Sequence, residues 1–329
     1  MSNHARRQRY GFGLGDTLLA EVGGAPLDAL HHDVDAICRC YEAIVPLAER
    51  LGVEPPRPRL AGFSYCHLSA LGAEIVFAEG SEPNVVPLIR QAKEIDDLEE
   101  PDDYLSRGVV PARLRTFEKL LARRPDAQKT IGHIYEGPVT SAALLMGGQP
   151  FFVLPHDDPE RAHRLLSFCV RSAVNYARTI GRYFGRTDEP GSVGIPDDFA
   201  GMFGPDQFAE FVVPCLDEMY ASQQATERYL HSELLRVEHL RFLADLKITE
   251  FDPSADQFLT PPLCRQHCPV PFTARILAMD VRDNTADELR AMYRAYAACE
   301  PTRITFHMTS LAEEEKIRAI LDVARALAD

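Results

Sequence analysis

Long apolar runs are missing from this chain of 329 residues. No window approaches the ~18 consecutive apolar residues that a membrane-spanning helix needs. The first residues, 1–16, contain arginines but not the apolar segment of a secretory signal. Positive charge is also scarce, since 35 Lys and Arg residues stand against 49 Asp and Glu residues, a formal net charge of −14. Nucleic acids and anionic membranes bind basic surfaces. We therefore expect a cytoplasmic protein with no nucleic-acid partner and no membrane partner.

Several sequence motifs of known enzyme classes are also missing. There is no P-loop and no G-x-S-x-G elbow, and GFGLGD at 11–16 lacks both the glycine spacing and the preceding strand of a dinucleotide site. The eight cysteines show no zinc-finger spacing. CRQHC at 264–268 resembles half a zinc site, but no second Cys/His pair accompanies it. In a chain of this length without a secretory signal, we expect reduced thiols.

The helical patterns that are present lie mainly in the first half. With 46% hydrophobic residues, the chain can bury a substantial core, and we expect one domain over 1–329. Residues 1–60 are predicted to form an N-terminal helical segment, with a helix over 29–51. A second helix is predicted over 158–184, where Asp158 can cap and Pro159 suits the first turn.

The last hundred residues repeat a strand, a short loop and a helix. Strands are predicted at 227–231, 247–252, 272–280 and 303–307. Helices are predicted over 233–245, with Glu238 and His239 on its surface, over 286–298, and after Ser310. This repeat is typical of parallel βα units. It predicts an α/β protein, and a (β/α)8 TIM-type barrel is the arrangement in which all the strand ends converge.

Polar residues fall at the carboxyl end of each of these predicted strands: His231, Asp252, Asp280 and His307. In a barrel these ends share one face, where active sites are built. Two histidines with carboxylates suit Fe(II), Mn(II) or Zn(II). His231, Glu233, Asp252 and His307 are therefore candidate metal ligands.

A plainer interpretation also fits the first of these positions. If residues 225–245 form one continuous helix, His231 and Glu233 are only solvated surface residues.

In another stretch of the sequence, Asp197 and Asp198 begin a glycine-bracketed loop. Paired carboxylates at such a position do acid–base work or orient a ligand, or they cap a helix. We expect capping or solvation for at least one of the two, and Asp197 and Asp198 are the candidate catalytic residues.

Three stretches in this order, 71–89, 136–166 and 197–214, resemble the uroporphyrinogen decarboxylase superfamily. This superfamily includes the decarboxylase and zinc methyltransferases that move a methyl group between a corrinoid protein and a thiol such as coenzyme M. The resemblance implies a (β/α)8 barrel with its active site at the carboxyl ends of the strands. The arginines of the N-terminal RRQRYGFGLGD do not follow the pattern with which the decarboxylase binds propionates.

The methyltransferase branch binds zinc through His-x-Cys and a distant Cys. Here the matching positions are His231-Ser232-Glu233 and His307, so both cysteines are replaced. The resemblance implies a divalent metal, zinc by family, with Asp252 as a further ligand or as a residue that orients a histidine. The harder donors of this chain favour Fe(II), Mn(II) or Zn(II) with oxygen or nitrogen substrates.

The resulting hypothesis is a metal-dependent, methyltransferase-like enzyme acting on a small molecule, with a corrinoid protein as a possible partner. One alternative is a metal-dependent lyase, hydrolase or Fe(II) oxidative enzyme on the same scaffold. Another is a corrinoid- or tetrapyrrole-binding protein without catalysis. A homodimer is compatible with all three.

Overall fold

The structure is a computed structural model that describes residues 9–77, 83–132, 134–254 and 256–328. The N-terminal arginines Arg6 and Arg7, and residues 78–82 of the first resembling stretch, lie outside the described residues. The strands are β1 (Arg9–Leu14), β2 (Glu74–Val76), β3 (Asn84–Val86), β4 (Gly191–Pro196), β5 (Ala225–His231), β6 (Glu250–Asp252), β7 (Ala274–Arg275) and β8 (Arg303–Met308).

The α-helices pack around these strands and account for a little under half of the chain. They are α1 (Asp16–Gly23), α2 (Val34–Ala43), α3 (Val45–Leu51), α4 (Cys66–Ala70), α5 (Val110–Arg123), α6 (Pro138–Met146), α7 (Gly148–Asp157), α8 (Pro159–Tyr183), α9 (Pro205–Gln207), α10 (Val213–Ser222), α11 (Arg241–Asp245), α12 (Pro261–His267), α13 (Ala278–Asp283), α14 (Ala286–Ala297) and α15 (Glu314–Ala328). Short 3-10 helices span Leu27–His31, Ala92–Asp97, Tyr104–Ser106, Ala200–Met202, Val237–His239 and Leu311–Glu313, and a π-helical turn spans Phe208–Val212. Among the described helices, none is both long and apolar enough to cross a membrane.

Six of the eight described strands, β1 and β4 to β8, pair in parallel. One sheet has the order β4-β5-β6 and the other β1-β8-β7, and a bridge between Phe251 and Phe272 links their adjoining edges. A separate antiparallel hairpin pairs β2 with β3. The predicted α/β class is therefore confirmed, with parallel strands connected through helices.

Side-chain alternation explains how β8 faces the core. Ile304, Phe306 and Met308 are fully buried, whereas Thr305 and His307 between them are partly or largely exposed. Successive side chains of a strand point to opposite faces, so the apolar face of β8 packs inside the protein. The histidine of this strand lies on its other, more open face.

Most predicted elements are present. The helix over 158–184 is α8, capped by the Asp158 side chain, which accepts from the Arg161 amide. Strands 227–231 and 303–307 are β5 and β8, and Thr285 caps α14 as expected. The cysteines are all free thiols.

Four local predictions were wrong. The N-terminal segment is not wholly helical, because GFGL belongs to β1, which pairs with β8. The helix over 29–51 divides at Ile44 before Pro46, whose ring lacks the amide that would continue the first helix. A turn with Leu234 at φ 63° interrupts the helix predicted over 233–245. The strand predicted over 272–280 is confined to Ala274–Arg275.

Two polar residues consequently lie elsewhere than predicted. Asp280 is not at a strand end but within α13, where its carboxylate accepts from the Leu277 amide. His239 is not on the surface: it is buried, bonding the Arg236 amide and the Phe203 carbonyl oxygen.

Candidate active site

The ends of three neighbouring strands place the predicted residues side by side. Pro196 of β4 pairs with His231 of β5, which pairs with Asp252 of β6. The pairing continues past the strands, because the Asp197 amide donates to the His231 carbonyl oxygen at 2.8 Å. Parallel strands end at the same edge of a sheet. His231 and Asp252 are therefore brought together as the sequence predicted, and the structure adds the Asp197–Asp198 pair beside them.

Asp252 is the centre of a hydrogen-bond network. Its carboxylate is buried and accepts five hydrogen bonds, at 2.8–2.9 Å, from the Tyr229 hydroxyl, His231 Nδ1, Arg275, the Ser254 amide and the Thr273 hydroxyl. Burial by itself raises the pKa of Asp252, but the His231 hydrogen bond and the Arg275 charge outweigh it. The net effect holds the pKa of Asp252 well below its usual range, so the group is an ionised acceptor.

His231 is oriented by this carboxylate. Nδ1 bonds Asp252 Oδ2 at 2.9 Å, and Nε2 lies 3.3 Å from Asp198 Oδ1. The side chain keeps 22% of its surface exposed. Burial lowers the pKa of His231, but the hydrogen bond and charge of Asp252, together with Asp198, raise it by more. The imidazole therefore holds a proton to higher pH than a free histidine.

Asp198 stands on the other side of the imidazole. Its side chain is 38% exposed, yet its Oδ1 is buried and makes no hydrogen bond within the part of the chain that is described. Burial raises the pKa of Asp198, and the nearby His231 opposes that shift. This oxygen and His231 Nε2 therefore face each other across 3.3 Å.

Asp197 has a different role from its neighbour. It is fully buried, and its oxygens accept from the Val139 and Thr140 amides at 3.2 and 2.7 Å and from the Thr140 hydroxyl at 2.9 Å. These amides belong to the first turn of α6, so Asp197 caps a neighbouring helix. Burial, opposed by these hydrogen bonds, raises the pKa of Asp197 to about 7. Asp198 is therefore accessible to a substrate, whereas Asp197 is fully buried.

The remaining predicted ligands lie at the edges of this group. Glu233 is half-buried, two residues beyond His231, and its charge acts on both Asp198 and Asp256. His307 is the penultimate residue of β8 and pairs with Gly13, where a Cβ would lie 2.6 Å from His307 Cδ2. Partial burial of the imidazole ring and the positive charge of Arg275 both lower the pKa of His307.

The donor arrangement decides whether a metal fits. Within the described ranges, no three His, Cys, Asp or Glu side chains are placed to hold an ion. Asp252 has both oxygens engaged by protein donors, one of them the Arg275 guanidinium. His231 Nε2 and Asp198 Oδ1 are the two adjacent donors that remain. A three-ligand site does not fit the side chains in this arrangement.

Sequence reasoning missed three residues of this face: Tyr229, Arg275 and Glu136. Tyr229 lies two residues before His231 on β5, so period-two alternation placed it on the same face. Arg275 was missed because the sequence predicted a strand over 272–280, which placed the strand end at Asp280 and not at Arg275. Glu136 directly precedes the Gly-Pro of α6, and its Oε2 is buried without a hydrogen bond in the described structure. Burial and the Asp198 charge raise the pKa of Glu136 to about 8.

A cavity of about 310 Å³ opens beside the first turn of α1. Asp16, His31, Phe63 and Ser64 are among its lining residues. The Ser64 hydroxyl bonds Glu136, which in turn lies within the field of Asp198. The cavity and the His231 cluster are thus connected through neighbouring polar side chains.

Comparison with known proteins agrees with this architecture. A methyltransferase from Methanosarcina mazei shares the fold, with a TM-score of 0.74 at 17% sequence identity over 99% of this chain and 95% of that one. No curated protein matches the sequence. The family model for uroporphyrinogen decarboxylase (URO-D) matches residues 63–256. The chain therefore belongs to the uroporphyrinogen decarboxylase family.

Proposed function

We propose that this chain is an enzyme that transforms a small molecule at the carboxyl ends of its parallel strands, with His231 binding and releasing the proton. One observation carries the proposal: His231 is held by Asp252 through Nδ1 and presents Nε2 to the face that Asp198 shares. A histidine fixed by a buried carboxylate is a recurrent arrangement for general acid–base catalysis.

Each residue has a distinct part in this proposal. Asp252 fixes the tautomer, because Nδ1 must carry a proton to bond an ionised carboxylate at 2.9 Å. Nε2 then exchanges a proton with the substrate. Arg275 balances the charge of Asp252 at 2.8 Å, so that the protonated and neutral forms of His231 are both accessible. Asp198 stabilises the imidazolium or accepts its proton.

Histidine NMR tests this assignment without knowledge of the substrate. In ¹⁵N-histidine-labelled protein, we expect the His231 resonance to show the Nδ1–H tautomer and a pKa above the ordinary 6.5. Asp252→Asn is expected to lower this pKa, and Asp217→Asn, an exposed carboxylate paired with Arg228, is the control. A His231 pKa that Asp252→Asn leaves unchanged contradicts the proposal.

We further infer that the two parallel sheets belong to one closed (β/α)8 barrel. Backbone contacts beyond the strands support this closure. The Gly62 amide donates to Asp16, just after β1, and the Gly137 amide donates to the Pro196 carbonyl oxygen of β4. Gly132 lies against Phe63, with 2.5 Å between a Cβ built on it and the Phe63 carbonyl oxygen. Segments near 61–63 and 131–137 thereby occupy the two missing strand positions between β1 and β4.

Metal-dependent methyl transfer is the second candidate, and the fold shared with a methyltransferase favours it. His231 and Asp198 would provide the first donors, and Glu233 and His307 would have to move to join them. Zn(II), Fe(II) or Mn(II) would supply Lewis acidity to a substrate heteroatom, and a corrinoid protein would supply the methyl group. Asp252 would orient His231 from behind rather than bind the ion.

Metal analysis of protein purified without chelators tests this candidate. Bound metal that is lost in both His231→Ala and His307→Ala supports it, and full occupancy in either variant rejects the ligand set. Dependence of turnover on methylcobalamin separates methyl transfer from the lyase, hydrolase and oxidative alternatives, and dependence on O₂ identifies the last of these. Visible absorbance of the purified protein without turnover would instead support a corrinoid- or tetrapyrrole-binding protein.

The cellular setting completes the proposal. We propose that the enzyme acts in the cytoplasm on a small molecule and needs neither a nucleic acid nor a membrane. The formal net charge of −14 supports this. Sedimentation of the purified chain would decide between a monomer and a homodimer.

A further inference from the structure

We propose that the cavity beside α1 binds the carboxylate of a small aromatic acid, with His31 as the hydrogen-bond donor and Arg113 as the charge behind it. This inference goes beyond the proposed function, because His231 is not among the described residues that line the cavity. The binding itself is measured independently of turnover.

Arg113 is a buried cation whose hydrogen bonds to described residues all go to neutral atoms. Only 4% of the residue is exposed. Its guanidinium donates to the carbonyl oxygens of Ile131 at 2.7 Å and Ala61 at 2.9 Å, and one nitrogen lies 3.3 Å from His31 Nδ1. Its Cζ also lies 4.9 Å from the centre of the Phe63 ring. Burying a charge is costly unless an opposite charge compensates it, and none of these four contacts is with an anion.

His31 contacts Arg113 on one side and lines the cavity on the other. Arg113 has no acceptor atom, so it must donate to Nδ1, and the ring proton of His31 is then on Nε2. Burial and Arg113 lower the pKa of His31 to about 4, so the ring is neutral at physiological pH. His31 lines the cavity as a hydrogen-bond donor polarised by a cation directly behind it.

The carboxyl groups around the cavity do not cancel this positive charge. Asp16 is paired with Arg59 at 2.9 Å and accepts from the Gly62 amide at 3.0 Å. Glu136, which bonds the lining residue Ser64, has a pKa of about 8 and is protonated at pH 7. Within the part of the chain that the structure describes, Arg113 forms no ion pair with either of these carboxyl groups. Its charge therefore favours an anionic ligand in the cavity.

Glu136 lies behind the lining residue Ser64 and is not itself among the described residues that line the cavity. Its Oε2 is buried and makes no hydrogen bond to any described group. A protonated carboxyl with a free oxygen can donate to an uncharged acceptor such as a carbonyl or hydroxyl oxygen. The ligand is thus expected to carry its anionic group at the His31 end and a neutral oxygen toward Ser64 and Glu136.

The dimensions and walls of the cavity limit the ligand further. A volume of about 310 Å³ lies at the lower end of the range for small-molecule sites. Phe63 and Tyr65 both line it, with their ring centres 5.8 Å apart in an edge-to-face arrangement. Such rings pack well against another flat ring. A single-ring aromatic acid fits these constraints.

The test uses the full chain, with 4-hydroxybenzoate as the probe and 4-hydroxybenzamide as its uncharged counterpart, measured by isothermal titration calorimetry. We expect saturable binding of the acid that is at least tenfold tighter than that of the amide. His31→Phe keeps an aromatic ring but removes the donor, and it should abolish this preference. His32→Phe is the matched control, because His32 is adjacent and exposed, and it should retain wild-type binding.

Arg113 is tested through its charge. Arg113→Lys is expected to keep a measurable preference for the acid, and Arg113→Met is expected to lose it. Thermal denaturation establishes first that each variant is folded, and if Arg113→Met does not fold, His31→Phe decides alone. Absence of saturable binding in the wild type, equal binding of acid and amide, or wild-type binding by His31→Phe would each overturn the inference.

The outcomes also separate this inference from the proposed function. His231→Asn should leave probe binding within twofold of wild type, because His231 does not line the cavity. If the probe binds as expected but Asp252→Asn does not change the pKa of His231, the cavity assignment is supported and the acid–base assignment fails. If the His231 titration is as expected but the probe does not bind, the cavity assignment fails alone.

Discussion

Gly137 and Asp197 are packed so closely that a Cβ built on the glycine would lie 2.4 Å from the Cβ of the aspartate. The glycine opens the first turn of α6, and the aspartate caps that same turn. The absence of a side chain at residue 137 therefore lets a carboxylate from the end of β4 reach the helix amides. This contact joins two of the stretches that carry the family resemblance.

Gly137→Ala is expected to destabilise the protein by about 1–3 kcal/mol, the usual cost of forcing atoms into a packed site. The free energy of unfolding in urea measures it. Gly148→Ala is the control, because nothing lies within 4 Å of a Cβ there. Ala favours a helix over Gly, so the control should be neutral or slightly stabilising. Equal destabilisation by the two variants would contradict the steric explanation.

Asp252→Asn is expected to cost about 3–5 kcal/mol of unfolding free energy, because it removes the charge that pairs with Arg275 and His231 in a buried setting. Tyr229→Phe removes one of the five hydrogen bonds and should cost only about 1 kcal/mol. Asp217→Asn, which breaks an ion pair whose carboxylate is 59% exposed, should cost less than about 1 kcal/mol. A small loss in Asp252→Asn would show that Asp252 is not the centre of the network.

Asp197 and Glu136 should each contribute a fall in stability as the pH rises from about 4 to about 8, opposite to the contribution of His31, whose folded pKa is about 4. The pKa values of Asp197 and Glu136 are raised in the folded state from 3.8 to about 7 and from 4.5 to about 8. Across this window the unfolded chain loses these protons first, so ionisation favours unfolding. Urea unfolding across pH 4–8 measures the free energy of unfolding at each pH, and in Asp197→Asn and Glu136→Gln this free energy should fall less, or rise more, with pH than in the wild type.

Asp252 should act in the opposite direction at lower pH. Its folded pKa is depressed below 3.8, so its stabilisation is present above that value and is lost as the pH falls through the folded pKa. Asp252→Asn should therefore reduce the acid sensitivity of the protein below pH 4. An unchanged acid limb would contradict the depressed pKa.

Gly13→Ala should displace His307 rather than unfold the protein. A Cβ at residue 13 would lie 2.6 Å from His307 Cδ2, but the imidazole is exposed enough to turn away. We expect a changed His307 NMR resonance with less than about 1 kcal/mol of destabilisation. At Gly11 the nearest atom, Thr305 Cγ2, is 3.3 Å away, so Gly11→Ala should leave the His307 resonance unchanged.

The sequence by itself determined the elements with strong local signals. The apolar period of α8, the capping residues Asp158 and Thr285, and the alternation of β8 are local properties, and each element formed where predicted. The order of strands and helices, with polar residues at strand ends, was also sufficient to bring His231 and Asp252 together, whereas the strand that ends before Asp198 was not predicted. Parallel strands share one edge, so the carboxyl-end position of a residue carries spatial information.

Only the tertiary structure decided what each of these groups does. Asp197 and Asp198 are adjacent in sequence, yet one caps a buried helix and the other faces His231. The division depends on how closely α6 approaches β4, which sequence spacing does not contain. Asp252 likewise has the residue type and strand position of a metal ligand, but Tyr229, Thr273 and Arg275, from three different segments, donate to its oxygens. Hydrogen-bond capacity is limited, and long-range packing determines which partner uses it.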